Sequence, residues 1–136
     1  MRVLIADDQP QVRSALRLLL KQETDLAVVG EADDAERALE LSAEQRPDLV
    51  LLDWELPDQR AGGPLNSAGQ RLLPALRACC PRLKVIALSG RPEARQAALD
   101  AGVDAFVSKG DPPERLLAAV DDCRRGQCGP AHNWQP

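Results

Sequence analysis

The chain has 136 residues, 44% of them apolar and 28% charged, and 17 basic residues against 21 acidic ones give a formal net charge of −4. That length and mix fit one folded domain with a sizeable core and exclude a disordered chain. The acidic balance excludes a nucleic-acid-binding face on this chain, and no apolar run approaches the ~18 residues of a membrane span.

Aromatic residues amount to 2%, namely Trp54, Phe106 and Trp134. The core must therefore be built from Leu, Val, Ile and Ala, and no stacking platform for bases is available. The opening MRVLIADDQP is not patterned as a secretory signal. Cys79, Cys80, Cys123 and Cys128 are accordingly expected as reduced thiols of a cytoplasmic protein. Cys123, Cys128 and His132 match the spacing of no usual zinc finger.

Short apolar runs alternate with helical patterns along the chain. Val3 to Ala6 is a first strand that ends at Asp7-Asp8. Pro10 suits a first helical turn, and Val12, Leu16, Leu19 and Leu20 form one face through about residue 22. Leu26 to Gly30 is a second strand, with Glu31 beyond it at the sheet edge. Asp33 is the expected N-cap of a helix carrying Ala35, Ala38, Leu39 and Ser42, closed by Arg46-Pro47. Leu49 to Leu52 is a third strand that ends at Asp53. Pro57 to Ala68 is an irregular stretch, and the loop from Asp58 to Ser67 is expected to be the least ordered internal segment of the chain. Leu72, Leu73, Leu76 and Cys80 mark a helix with Pro74 in its first turns and Pro81 at its end. Lys84 to Leu88 is a fourth strand, followed by Ser89-Gly90. An Ala-rich helix over 92–101 ends at Gly102. Val103 to Val107 is a fifth strand ending near Lys109, and Pro112-Pro113 open a last helix with Leu116, Leu117, Ala119 and Val120 on one face.

Five strand–helix repeats with strands apolar on both faces predict a doubly wound α/β domain: a five-stranded parallel sheet, flavodoxin-like, in strand order 2-1-3-4-5. In such a sheet, chemistry sits beyond the carboxyl ends of the strands, where strand order reverses. Asp7, Asp8 and Asp53 then meet in one crevice, with Ser89 and Lys109 opposite. Converging carboxylates need a cation, and oxygen-only ligands suit Mg²⁺. Lys109 and Ser89 can hold an anion, so the site suits a phosphoryl group beside Mg²⁺ with a carboxylate as nucleophile. Singly, each group has a plainer role: Asp8 as a helix cap, Lys109 as a solvated charge, Ser89 as a turn residue.

The segments VLIADD, LVLLDWELP, KVIALSG, ALDAGVDAFVSK and PPERLLAAV resemble the receiver domain of two-component response regulators. The resemblance covers residues 1 to about 125 and leaves 126–136 as a tail or the start of a linker, predicted to fray. VVGEADDAERALEL is similar to receivers that precede a LuxR-like DNA-binding domain, whereas DWELP is similar to receivers joined to winged-helix domains. The resemblance implies Asp53 as phospho-acceptor. It implies Mg²⁺ held by Asp8, Asp53 and the Glu55 backbone carbonyl, with Asp7 acting through water. Lys109 and Ser89 would bind the phosphoryl oxygens, and Ser89 and Phe106 would form the switch, the ring moving into space that Ser89 vacates. The donor would be a histidine kinase or a phosphotransfer protein, and slow self-hydrolysis would follow. Departures are a longer loop before Gly69, Gly110 where many relatives have Pro, Ser89 for Thr and Phe106 for Tyr.

An aspartyl-nucleophile phosphatase would carry Asp-x-Asp after the first strand, whereas this chain has adjacent acids there. A flavin module would need a phosphate-binding loop where Asp7-Asp8-Gln9-Pro10 stands. A receiver-like module that is never phosphorylated fits less well with the full set of acids, Ser89 and Lys109. Lys109 is expected to lie nearest Asp53. Glu55 and Arg91 are expected to face each other over the site and to modulate the lifetime of the phosphoryl group. The helix over 92–101, the fifth strand and the last helix are expected to form the face for a second copy or a partner.

Overall fold

The computed structural model describes residues 1–57 and 68–126. Its parallel strands are β1 (Arg2–Ala6), β2 (Ala27–Ala32), β3 (Leu49–Asp53), β4 (Lys84–Ser89) and β5 (Ala105–Ser108). The intervening helices are α1 (Pro10–Lys21), α2 (Ala35–Gln45), α3 (Ala68–Cys79), α4 (Arg95–Ala101) and α5 (Pro113–Arg124). The sheet order is β2-β1-β3-β4-β5, as the alternating pattern predicts.

Side chains alternate across the sheet with the two-residue period of a strand. Leu4, Val50, Leu52, Val85 and Ala87 pack on the side covered by α2, α3 and α4. Val3, Ile5, Leu49, Leu51, Ile86 and Leu88 pack against α1 and α5 on the other. β3 is buried at every position because it pairs with β1 and β4 and is roofed on both faces. Its last residue, Asp53, is thereby carried in register beside Leu88 of β4.

Several boundaries differ from the sequence expectation. β2 runs to Ala32, because Glu31 and Ala32 continue the pairing with Ile5 and Ala6. The helix start shifts with it. Asp34, not Asp33, is the N-cap of α2, its side chain accepting the Arg37 amide at 2.8 Å. The segment expected as one helix over 92–101 begins with a 3-10 turn, Pro92–Ala94, before α4. β5 starts at Ala105, since the Asp104 carboxylate accepts the Val85 amide at 2.8 Å at that edge. Gly102 ends α4 in the left-handed region at φ 105°, as expected. The order expected of the Asp58 to Ser67 loop and of the tail, with Cys128 and His132, lies outside the described residues.

Candidate functional site

The carboxyl ends of β1 and β3 are adjacent at the reversal of strand order, which brings Asp7, Asp8 and Asp53 together. One carboxylate oxygen from each lies within 4.8 Å of the others. Asp7 and Asp53 are buried, at 0% and 2% exposure, whereas Asp8 faces solvent. The two buried acids are held alike, each taking the amide two residues on. Gln9 N donates to Asp7 Oδ1 at 2.8 Å, and Glu55 N donates to Asp53 Oδ1 at 3.0 Å. Arg13, one turn into α1, donates to the Asp7 carbonyl at 2.7 Å and pairs with Glu31 at 3.2 Å.

Lys109 enters from the end of β5, fixed by its amide donating to the Ser89 carbonyl at 2.8 Å. Its Nζ lies 2.8 Å from Asp7 Oδ2 and 3.5 Å from Asp53 Oδ1. The expected preference for Asp53 is thus reversed. Asp7 is the more deeply buried carboxylate, and its Oδ2 has no hydrogen bond among the described residues. The Lys109 ammonium meets that oxygen as an ion pair. Burial pulls Lys109 toward the neutral form, but the Asp7 and Asp53 carboxylates outweigh it and leave its pKa raised.

Asp53 is pushed up from 3.8 to about 6, first by burial and then by the negative charge of Asp7. Lys109 and the Glu55 amide oppose the rise without cancelling it. Three close carboxylates with one ammonium shared between two of them form an under-neutralised oxygen site. That donor set fits a hard dication such as Mg²⁺.

Ser89 is fully buried at the end of β4, but its hydroxyl does not lie free for an anion. It donates to the Glu55 carboxylate, whose two oxygens are each 2.9 Å away. Ser89 Oγ also accepts the Arg91 amide at 3.0 Å. Arg91 and Glu55 face each other across the mouth of the site, as expected, at 3.7 Å. Phe106, the expected partner of Ser89 in the switch, is 9% exposed and belongs to the buried cluster that includes Ala87, Ala94, Ala98 and Val103.

Sequence reasoning missed two contacts. One is the bond from Ser89 to the Glu55 side chain, which nothing in the spacing signals. The other is Gly69 in the first turn of α3, where an added Cβ would come within 2.4 Å of the Trp54 ring.

The chain matches the model of the response regulator receiver domain over residues 3–121. It is 31% identical over 125 residues to the nitrate/nitrite response regulator protein NarL of Escherichia coli, covering 92% of this chain and 55% of NarL. The isolated REC domain of RcsB from Salmonella enterica serovar Typhimurium, determined in the presence of phosphomimetic BeF3−, superposes with a TM-score of 0.82. Its identity is 26%, with 94% of this chain and 91% of that chain covered. A two-component response regulator of the LuxR family from Aurantimonas sp. SI85-9A1 gives a TM-score of 0.81 at 27% identity, covering 93% and 86%. The chain spans little more than half the length of NarL.

Proposed function

Because the chain belongs to the response regulator receiver family and so serves phosphoryl acceptance in two-component signalling, we propose that Asp53 is the residue that takes the phosphoryl group. The observation that supports this most is the burial of Asp53 at the sheet's reversal point, between a second buried acid and an ammonium. Asp8, Asp53 and the Glu55 carbonyl would hold Mg²⁺, with Asp7 acting through water. The bound ion would supply charge neutralisation for the incoming phosphoryl oxygens.

The chain's own groups then do the following. An Asp53 carboxylate oxygen attacks the phosphorus of a phosphohistidine on a histidine kinase or phosphotransfer protein. The P–N bond breaks and an acyl phosphate forms. Lys109 moves from Asp7 toward the phosphoryl oxygens, and the Ser89 hydroxyl donates a hydrogen bond to one of them. Attack of water on phosphorus later frees inorganic phosphate and restores Asp53. Beyond this self-limited chemistry the chain acts as a switch rather than as an enzyme with turnover on other substrates.

A cytoplasmic location follows from that role, and among the described residues no helix is long and apolar enough to cross a membrane. A second copy would dock on the face of α4, β5 and α5. The match to only part of NarL favours a second reading, in which the chain is the receiver portion of a DNA-binding transcriptional regulator.

The experiment is intact-mass measurement after treatment with acetyl phosphate and Mg²⁺. The wild-type chain is expected to gain one phosphoryl group and Asp53→Asn none. No gain in the wild type, or equal gain in both, would overturn the assignment.

A further inference from the structure

Glu55 lies two residues beyond Asp53, and its side chain reaches Ser89 at the end of β4. It takes the Ser89 hydroxyl on both carboxylate oxygens at 2.9 Å. A hydroxyl has one proton, so the carboxylate claims the donor that a phosphoryl oxygen on Asp53 would use. The position of Glu55 is itself held. Its amide donates to Asp53 Oδ1 at 3.0 Å, and the Arg91 guanidinium stands 3.7 Å from Oε2.

We propose that the Glu55 side chain is a positioning residue that holds the Ser89 hydroxyl in the unphosphorylated chain, so that a phosphoryl group on Asp53 must displace this carboxylate to bond Ser89. The proposal rests on the reading of Asp53 as phospho-acceptor. It adds a competitor for Ser89 supplied by the same loop that carries the acceptor. A hydroxyl bonded to a carboxylate is among the stronger protein hydrogen bonds, so loss of the competitor is expected to shift the phosphoryl-like state by roughly tenfold.

The test uses beryllofluoride with Mg²⁺ as the phosphoryl mimic. Its affinity is measured by titration for the wild type, Glu55→Ala, Ser89→Ala and the double variant. Glu55→Ala is expected to tighten binding about tenfold, and the gain should vanish in the Ser89→Ala background. Equal tightening in both backgrounds would mean that Glu55 acts only by charge repulsion, and no tightening would mean that it holds nothing. Either result overturns the proposal. Failure of the wild type to bind, or equal binding by Asp53→Asn, would instead strike the Asp53 reading. The ligand-free protein still judges the hold on Ser89. The Arg91 amide resonance should move in Glu55→Ala and remain near its wild-type position in Glu55→Gln, which keeps an acceptor oxygen. An unmoved resonance in Glu55→Ala, or the same displacement in both variants, would overturn it.

Discussion

Replacing Asp53 by Asn should stabilise the metal-free protein at neutral pH, although it removes the residue on which the proposed chemistry depends. Asp53 rises from 3.8 to about 6 on folding, through burial and the nearby charge of Asp7. A carboxylate with a raised folded pKa favours the native state fully below its unfolded pKa, and that contribution is lost as pH rises through the folded value. A shift of about two units corresponds to about 3 kcal/mol of penalty on the ionised form at pH 7 or above. At pH 5 about half of that penalty remains. Asn keeps an oxygen for the Glu55 amide but carries no charge. Urea denaturation in EDTA should therefore show Asp53→Asn more stable than wild type by about 1–3 kcal/mol at pH 7.5, with the gap narrowing toward pH 5. Added Mg²⁺ should close the gap by stabilising the wild type more, since an ion that binds only the folded state raises its stability. A variant no more stable than wild type in EDTA at pH 7.5, or a gap that widens as pH falls, would refute the reasoning.

Gly69→Ala should lower stability by about 1–3 kcal/mol, because the added Cβ would meet the buried Trp54 ring at 2.4 Å; chemical denaturation reads this directly. Arg77→Ala should cost about 2–4 kcal/mol by leaving the buried Asp104 carboxylate without its guanidinium at 3.0 Å, and the loss should shrink in the Arg77→Ala, Asp104→Asn double variant. Arg91→Ala should speed loss of the phosphoryl group from phosphorylated protein after donor removal, because Arg91 neutralises Glu55 and holds it aside, obstructing the attacking water; the double change of Glu55 and Arg91 to Ala should speed it at least as much. Unchanged or slower decay in Arg91→Ala would refute the obstruction.

The sheet order was legible because each strand is a short apolar run with turn or capping chemistry behind it. The acidic crevice was legible for a related reason. A residue at the end of a parallel strand has its position set by backbone register, so Asp7, Asp8, Asp53 and Lys109 had to converge. Which carboxylate the ammonium approaches more closely was not legible, because it depends on side-chain placement that strand register does not set. The Glu55 side chain was equally hidden. Its backbone place follows from Asp53, but its direction depends on a hydroxyl 34 residues away. Asp33 and Asp34 are chemically equivalent caps, and only the extra length of β2 decides between them.

At the end of the sheet remote from the acids, Arg77 binds the Leu83 carbonyl at 3.2 Å, the Gly102 carbonyl at 2.8 Å and the Asp104 carboxylate at 3.0 Å. One guanidinium thus fastens the foot of α4 to α3 and to the start of β5, while the head of α4 joins the loop that carries Ser89 and Arg91. The helix is pinned at its base, and its top connects through Gly90 and Arg91 to Ser89. A change of partner at Ser89 would therefore tip α4 about Gly102 as a lever rather than slide it along the sheet. The displacement would be largest at the turn formed by Pro92, Glu93 and Ala94 and would fade toward Ala101, so a partner that reads this domain would feel the signal at the upper end of α4 and find its lower end unmoved.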